Sequence, residues 1–174
     1  LALARQVGIL YERIAPMGAL MLDHGPKVGD MSPVFNLESL GGGTLSVGLA
    51  GNKKSQLLFF LSPTCPVCKK LLPVLKSIKN VEAKWLDVVL ASDGDRPEHA
   101  DFYRKAGLGE FPYVLSTDLG MAFQVGKLPY AILIGEDGRI RAKGLVNSRE
   151  QLESLFAAKE LGVASVQEYI DQQA

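Results

Sequence analysis

Apolar residues along the chain alternate between short runs of strand length and longer stretches with helical spacing. The predicted strands cover residues 34–37, 44–47, 56–61, 85–90, 130–134 and 139–142. The predicted helices cover residues 66–79, 96–106, 118–125 and a final helix from a Ser148 cap to Lys159. Strand–helix–strand alternation is typical of parallel βαβ units with right-handed crossovers. The pattern predicts an α/β fold with an N-terminal β-hairpin and a central mixed sheet flanked by helices.

Turn and capping residues support two of these elements. Residues 135–138 read Gly-Glu-Asp-Gly between two predicted strands, which is typical of a hairpin turn. Ser148 is followed three residues later by Gln151, and this spacing predicts a capping box at the start of the last helix.

The N-terminal residues follow a different pattern. Apolar residues recur three or four apart over residues 2–14, which predicts an amphipathic helix that ends before Pro16. Residues 15–29 are rich in Gly, Pro and Met and indicate an extended linker. Two interpretations of the helix stay open. Either it packs on the folded domain, or it continues an upstream membrane helix or lies on a bilayer.

Length and composition fit one folded domain. The chain has 174 residues, of which 47% are apolar and 22% are charged, as is typical of globular proteins. We expect residues 30–160 to form this domain, with residues 1–29 as a juxtamembrane segment and 161–174 as a C-terminal extension. Nineteen Lys and Arg balance nineteen Asp and Glu, so no positive field favours nucleic acid as a partner. No apolar run reaches the length of a membrane span, about 18 residues, although an anchor upstream of Leu1 fits a chain that opens without Met.

Both cysteines, Cys65 and Cys68, lie in one C-P-V-C motif between a predicted strand and a predicted helix. Free N–H groups and the helix dipole stabilise a thiolate at a helix N-terminus, so we predict that Cys65 is the attacking thiol. Cys68 lies one turn further into the helix and is the predicted resolving thiol. Pro66 lacks an N–H, and Lys69 and Lys70 add positive charge that favours the thiolate. The motif therefore predicts thiol–disulfide chemistry without a cofactor.

Two other interpretations of the cysteines are weaker. A zinc site needs about four ligands, and beyond the cysteines the chain offers only His24 and His99, both distant in sequence. Two inert structural cysteines are less expected at a strand-to-helix junction. We therefore predict no metal site.

Pro129 directly precedes an apolar strand. A proline inside a sheet removes a ladder hydrogen bond, so this one is expected at the start of its strand. Its peptide bond with Leu128 is either cis or an ordinary trans turn bond. We predict the cis form, because a trans bond would direct the strand and the carbonyl before it away from the cysteines.

The order of hairpin, strand, C-P-V-C, helix, strand, two helices, L-P-Y, hairpin and helix resembles the thioredoxin superfamily. Residues 27–142 resemble its membrane-anchored, extracytoplasmic thioredoxin-like and redoxin group. More narrowly, residues 15–29, 60–69 and 157–165 are similar to the thioredoxin-like accessory proteins of methylamine utilisation. This narrower resemblance covers nearly the whole chain.

The resemblance implies a periplasmic protein, tethered to the inner membrane by an N-terminal helix and served by an unknown membrane redox partner. Its implied client is the disulfide-rich small subunit of methylamine dehydrogenase. On this resemblance Cys65 attacks, Cys68 resolves and Pro129 is a cis-proline facing them. Pro66, Leu128 and Pro129 are expected to contact the substrate, with the Leu128 backbone pairing to an extended client segment.

The sequence departs from many thioredoxins at two positions. Phe59 stands where they carry a buried acid, and Thr64 stands where they carry a tryptophan. Asp87 and Glu110 are conceivable substitutes for the acid, but we expect both on the solvated surface. A missing proton acceptor for Cys68 and a stabilised Cys65 thiolate both predict a pair that is more oxidising than a general cytosolic reductase.

Two alternative functions compete with disulfide exchange on a client. Residues 62–65 resemble the loop of a thiol peroxidase of the redoxin type, although a second cysteine at the fourth place of the motif argues against this activity. A non-enzymatic client-binding chaperone would use Tyr113, Tyr130 and the Leu128 edge as a docking surface. The intact C-P-V-C motif weighs against that interpretation.

Overall fold

The computed structural model describes residues 25–161. The strands of this part are β1 (Phe35–Glu38), β2 (Thr44–Val47), β3 (Ser55–Phe60), β4 (Leu86–Ser92), β5 (Tyr113–Leu115), β6 (Tyr130–Ile134) and β7 (Ile140–Leu145). Its helices are α1 (Pro66–Val81), α2 (Arg96–Lys105), α3 (Thr117–Ala122) and α4 (Arg149–Leu161). None of these described helices is long and apolar enough to cross a membrane. The predicted helix over residues 2–14 and nearly all of the predicted C-terminal extension lie outside the described residues.

The central strand of the five-stranded sheet is β3, in the order β5-β4-β3-β6-β7. It runs parallel to β4 and antiparallel to β6. Phe60 at its end pairs with Ala91 of β4 and with Tyr130 of β6. The ends of β3 and β4 and the start of β6 therefore meet at one edge of the sheet, which we call the carboxyl edge. The strands β1 and β2 form a separate antiparallel hairpin. Together with the mixed five-stranded sheet and the helices, this hairpin confirms the predicted fold class.

Side chains of β3 point alternately into two apolar cores, as the two-residue period of a strand requires. Leu57 and Phe59 lie in one core with residues of α1 and α4. Leu58 and Phe60 lie in the other core with residues of α3 and the hairpin. Both faces of the strand are thus covered, which is why its sequence is apolar without alternation.

The predicted capping box at the start of α4 is present with one change. The Gln151 N–H donates to Ser148 Oγ at 3.2 Å. In return, Gln151 Oε1 accepts from the N–H of Asn147 at 2.5 Å, one residue before the expected donor. Two N–H groups are still satisfied, so the motif performs its capping role.

The strand β5 is not predicted by the sequence pattern. Its three residues are too few to show a strand period, and pairing with β4 supplies its register. The loop after β1 covers its other side. There the Leu40 N–H donates to the Tyr113 carbonyl at 2.8 Å, and the Tyr113 N–H donates to Ser39 Oγ at 3.0 Å. Tertiary pairing, rather than local sequence, makes this segment a strand.

Candidate active site

The two cysteines lie at the start of α1 and are joined as a disulfide. Cys65 is the N-cap residue, with φ −89° and ψ 111°. Its sulfur accepts a hydrogen bond from the Cys68 N–H at 3.2 Å, and its carbonyl accepts one from the Lys69 N–H at 3.2 Å. Cys68 is fully buried, whereas Cys65 is half-buried. Cys65 is therefore the more accessible of the two residues, and its attacking role stays a prediction.

The first turn of α1 favours negative charge on Cys65. Pro66 occupies the start of the helix, where a missing N–H costs nothing. Lys69 and Lys70 are exposed beside this turn. Their positive charge adds to the helix dipole, so the arrangement stabilises a Cys65 thiolate.

Residues 62–64 connect β3 to Cys65 in a turn organised by Ser62. The Ser62 carbonyl accepts a hydrogen bond from the Cys65 N–H at 3.2 Å. Its hydroxyl accepts one from the Thr64 N–H at 3.3 Å and lies 3.0 Å from Thr64 Oγ1. Ser62 thus directs the chain toward Cys65, with its hydroxyl engaged by Thr64.

This turn is anchored to β4 through Leu61. The Leu61 N–H donates to the Ala91 carbonyl at 3.0 Å. The Leu61 carbonyl accepts a hydrogen bond from the Ser92 hydroxyl at 2.6 Å. The end of β4 therefore fixes both polar groups of the last residue before the cysteine turn.

A buried histidine–tyrosine pair lies next to this anchor. His99 Nδ1 lies 2.7 Å from the Tyr113 hydroxyl, and His99 Nε2 lies 2.8 Å from the Asp93 carbonyl. A carbonyl only accepts hydrogen bonds, so Nε2 carries the proton and Nδ1 accepts from the Tyr113 hydroxyl. Burial raises the pKa of Tyr113, which keeps this hydroxyl protonated as a donor.

The sequence gives no signal for this pair. His99 is the buried residue of a helix whose other core-facing side chains, Phe102 and Tyr103, are only partly buried, so no continuous apolar stripe marks it. The alternative of a client-binding chaperone needs Tyr113 and Tyr130 on a docking surface with Leu128, and both tyrosines are buried. Burial also raises the pKa of Tyr130. Within residues 25–161 we find no group of three or more His, Cys or acidic side chains placed to hold a metal ion.

Pro129 lies at the carboxyl edge, directly before β6. The Leu128–Pro129 peptide bond is cis, which confirms the prediction. The Pro129 carbonyl accepts a hydrogen bond from the Val146 N–H at 3.1 Å. Tyr130 of β6 pairs with Phe60 at the end of β3. Pro129, one residue before Tyr130, therefore lies at the same edge of the sheet as the cysteine turn.

A groove of about 200 Å³ lies at this edge and is lined in part by Leu61, Ser92 and Leu128. Leu128 is 40% exposed, whereas Pro129 is buried. Within residues 25–161, the backbone N–H and carbonyl of Leu128 form no hydrogen bond. A free donor and acceptor at the same edge of the sheet as the cysteine turn suit an extended peptide.

The position of the acid found in many thioredoxins is apolar here. Phe59 is fully buried in the same core as Cys68. Asp87 is exposed at the start of β4, far from the carboxyl edge, and pairs with Lys54 at 3.7 Å. Glu110 is exposed as well. Both carboxylates are therefore on the surface, as expected, and neither replaces the missing acid.

Comparison with known proteins agrees with this geometry. The family model of the thioredoxin-like domain matches residues 47–159. The thioredoxin domain of a thiol-disulfide oxidoreductase from Bacteroides vulgatus has a TM-score of 0.63 at 21% identity, covering 78% of this chain and 97% of that one. StoA from Bacillus subtilis has a TM-score of 0.61 at 25% identity, covering 71% of this chain and 96% of that one.

Relatives of similar length share much more sequence. The methylamine utilization protein MauD of Paracoccus versutus is 51% identical over 170 residues, covering 98% of this chain and 85% of the relative. MauD of Methylorubrum extorquens is 50% identical over 171 residues, covering 98% of this chain and 82% of the relative. The chain therefore belongs to the thioredoxin-like thiol–disulfide oxidoreductases and, within them, to the family of the methylamine utilization protein MauD.

Proposed function

We propose that the chain exchanges disulfide bonds with a client protein, with Cys65 as the reacting sulfur and Cys68 as its internal partner. The observation that carries this proposal is the half-buried Cys65 at the N-cap of α1, with the Cys68 N–H on its sulfur. That N–H and the helix dipole stabilise the charge that Cys65 carries when the client sulfur leaves it. Cys68 is fully buried, which keeps it out of reach of a client.

In the oxidising direction, a client thiolate attacks the Cys65 sulfur and the Cys65–Cys68 bond breaks. A mixed disulfide forms between client and Cys65, while Cys68 takes the electron pair and is then protonated. A second client thiolate attacks the client sulfur of the mixed disulfide and releases Cys65 as a thiolate. The client has lost two electrons and gained a disulfide, and a disulfide-donating redox partner must reoxidise the pair.

Client binding is proposed at Pro66, Leu128 and Pro129. Pro66 is exposed beside Cys65, and the free backbone groups of Leu128 lie at the same edge of the sheet. An extended client segment that pairs with Leu128 would lie across the sulfur of Cys65. Main-chain pairing supplies affinity without a fixed client sequence.

The proposed client is the small subunit of methylamine dehydrogenase, and the proposed reaction is the formation or reshuffling of its disulfides. Relatives named as methylamine utilization proteins share half of this sequence, which supports this client. Formation of lasting disulfides also fits an extracytoplasmic location. We place the domain in the periplasm, tethered by an N-terminal anchor and served by a membrane redox partner.

Disulfide donation is the proposed direction of exchange. The start of α1 and the two lysines favour the reduced thiolate form, and whatever stabilises that form raises the reduction potential. Phe59 stands where an acid would accept the proton of Cys68. Resolution of a mixed disulfide by Cys68, and hence reduction of a client, should therefore be slow.

Equilibration with glutathione buffers, read by trapping the thiols, tests this proposal. We expect a potential nearer to roughly −180 mV, as in protein disulfide isomerase, than to roughly −270 mV, as in thioredoxin. The Cys65→Ser variant is the control and should exchange no disulfide with a reduced small subunit. A potential as low as that of thioredoxin would contradict disulfide donation and favour reduction of the client. Disulfide exchange by the Cys65→Ser variant would contradict the assignment of Cys65 as the reacting sulfur.

A further inference from the structure

We propose that Ser92 is a positioning residue for Cys65, because its hydroxyl fixes the peptide from which the cysteine turn departs. This inference rests on the proposed role of Cys65 as the reacting sulfur. In the sequence, Ser92 is only a polar residue at the end of an apolar strand. Its contacts give it a more specific role.

Two consecutive peptide units connect Ser92 to Cys65. The Ser92 hydroxyl donates at 2.6 Å to the Leu61 carbonyl, which belongs to the peptide joining Leu61 to Ser62. The Ser62 carbonyl belongs to the next peptide and accepts the Cys65 N–H at 3.2 Å. Rotation of the first peptide displaces the second and moves the Cys65 sulfur relative to the Cys68 N–H. The Ser92 hydroxyl therefore helps to set the position of the Cys65 sulfur relative to the Cys68 N–H, which stabilises the Cys65 thiolate.

Ser92 is itself held on several sides. Its carbonyl accepts a hydrogen bond from the Ser116 N–H at 2.9 Å. The carbonyl of the next residue, Asp93, is bonded to His99. His99 is held in turn by the Tyr113 hydroxyl, which donates to its Nδ1 at 2.7 Å. A buried polar network is rigid when all of its members are satisfied, so Ser92 offers the cysteine turn a fixed point.

A purely structural role is the competing explanation, and the chain supplies a matched control for it. Ser39 and Ser92 are each 9% exposed. Ser39 Oγ accepts the Tyr113 N–H at 3.0 Å, so it supports the same neighbouring strand without bonding to Leu61. Ser39→Ala should therefore cost stability without changing the sulfur.

The experiment measures iodoacetamide alkylation of the reduced wild type, Ser92→Ala and Ser39→Ala across pH, with the adduct mapped by mass spectrometry and stability followed in urea. In the wild type we expect Cys65 to be alkylated before Cys68. In Ser92→Ala the apparent pKa of Cys65 should rise. At pH values below that pKa, the fraction of Cys65 present as thiolate should fall about fivefold, which is the change in an equilibrium constant that corresponds to one ordinary hydrogen bond. Ser39→Ala should leave that pH profile unchanged, and Ser92→Thr should restore it.

Tyr113→Phe is the second variant, should Ser92→Ala fail to fold. It keeps the aromatic ring and should shift the profile in the same direction by a smaller amount. If the pH profile of Cys65 alkylation in Ser92→Ala equals that of the wild type, the positioning role is overturned. The same holds for Tyr113→Phe if Ser92→Ala does not fold. A shift of this profile in Ser39→Ala as large as that in Ser92→Ala would also overturn it. Preferential alkylation of Cys68 in the wild type would instead overturn the assignment of Cys65, and the positioning role with it.

Discussion

Two connections at opposite edges of the five-stranded sheet are stabilised in different ways. At the carboxyl edge, residues 62–64 depend on the buried hydroxyl of Ser92. At the other edge, residues 135–138 join β6 to β7, and the Asp137 carboxylate accepts the Arg139 N–H at 3.1 Å. Asp137 also pairs with the side chains of Arg139 and Arg141, all of them substantially exposed.

The two connections differ in the free energy of folding that is lost when their side-chain contact is removed. Exposed ion pairs contribute about 0–1 kcal/mol, since water and salt screen them. A buried polar group that loses its partner costs about 1–3 kcal/mol. Of these two side-chain contacts, the one at the edge that carries the cysteines is thus the more costly to lose. A reacting sulfur must be held in a fixed position relative to the groups that stabilise its thiolate, whereas a surface turn has no such requirement.

The largest effect on stability is expected from Phe59→Asp, at the carboxyl end of β3. Losing a buried aromatic ring costs about 3–5 kcal/mol. The introduced carboxyl would be buried among apolar side chains, which raises its pKa in the folded state above the value in the unfolded chain. Stability should therefore be greatest below about pH 4 and fall as the pH rises toward the folded-state pKa. The fall amounts to about 1.4 kcal/mol for each pH unit that separates the two pKa values.

Urea unfolding from pH 4 to pH 8 measures this effect, with Phe59→Leu as the control. The leucine variant removes the ring without adding a charge, so its smaller loss should not depend on pH. If Phe59→Asp has the same pH dependence as Phe59→Leu, the carboxyl has reached solvent or a partner, and the core around Cys68 is more open than its burial indicates.

Tyr113→Phe should have an intermediate effect. The variant keeps the ring in its core but leaves His99 Nδ1 without the hydroxyl that donates to it at 2.7 Å. We expect a loss of about 1–3 kcal/mol in the free energy of unfolding, measured in urea at neutral pH. A loss below about 0.5 kcal/mol would mean that water replaces the hydroxyl, and the buried network would then hold the carboxyl edge no better than surface charges do.

The sequence predicts the elements that have many apolar positions or a local motif. The helix after the cysteines has an apolar stripe and a proline at its start, and residues 130–134 form a strand with the predicted bounds. The Cys65–Pro66–Cys68 motif and Pro129 are recognisable for a related reason, because their chemistry depends on residue type and short spacing.

The polar support of the site is not predictable in this way. Ser92, His99 and Tyr113 lie on three different elements, and only the pairing of β4 with β5 and the packing of α2 bring them together. The three-residue β5 has no strand period of its own. Contacts set by tertiary structure leave no spacing in the sequence, so the groups around Leu61 become visible only in the fold.

The smallest effect is expected from Asp137→Asn in the turn between β6 and β7. Asparagine keeps an oxygen that can accept the Arg139 N–H, now 3.1 Å from Asp137 Oδ1, and removes only the charge that faces two exposed arginines. The free energy of unfolding in urea should fall by less than about 0.5 kcal/mol, and the difference from the wild type should shrink further in high salt. Measured beside Tyr113→Phe in the same buffer, this variant compares the two edges directly. A larger loss for Asp137→Asn than for Tyr113→Phe would reverse the comparison and make the surface turn, rather than the buried network, the more strongly fixed end of the sheet.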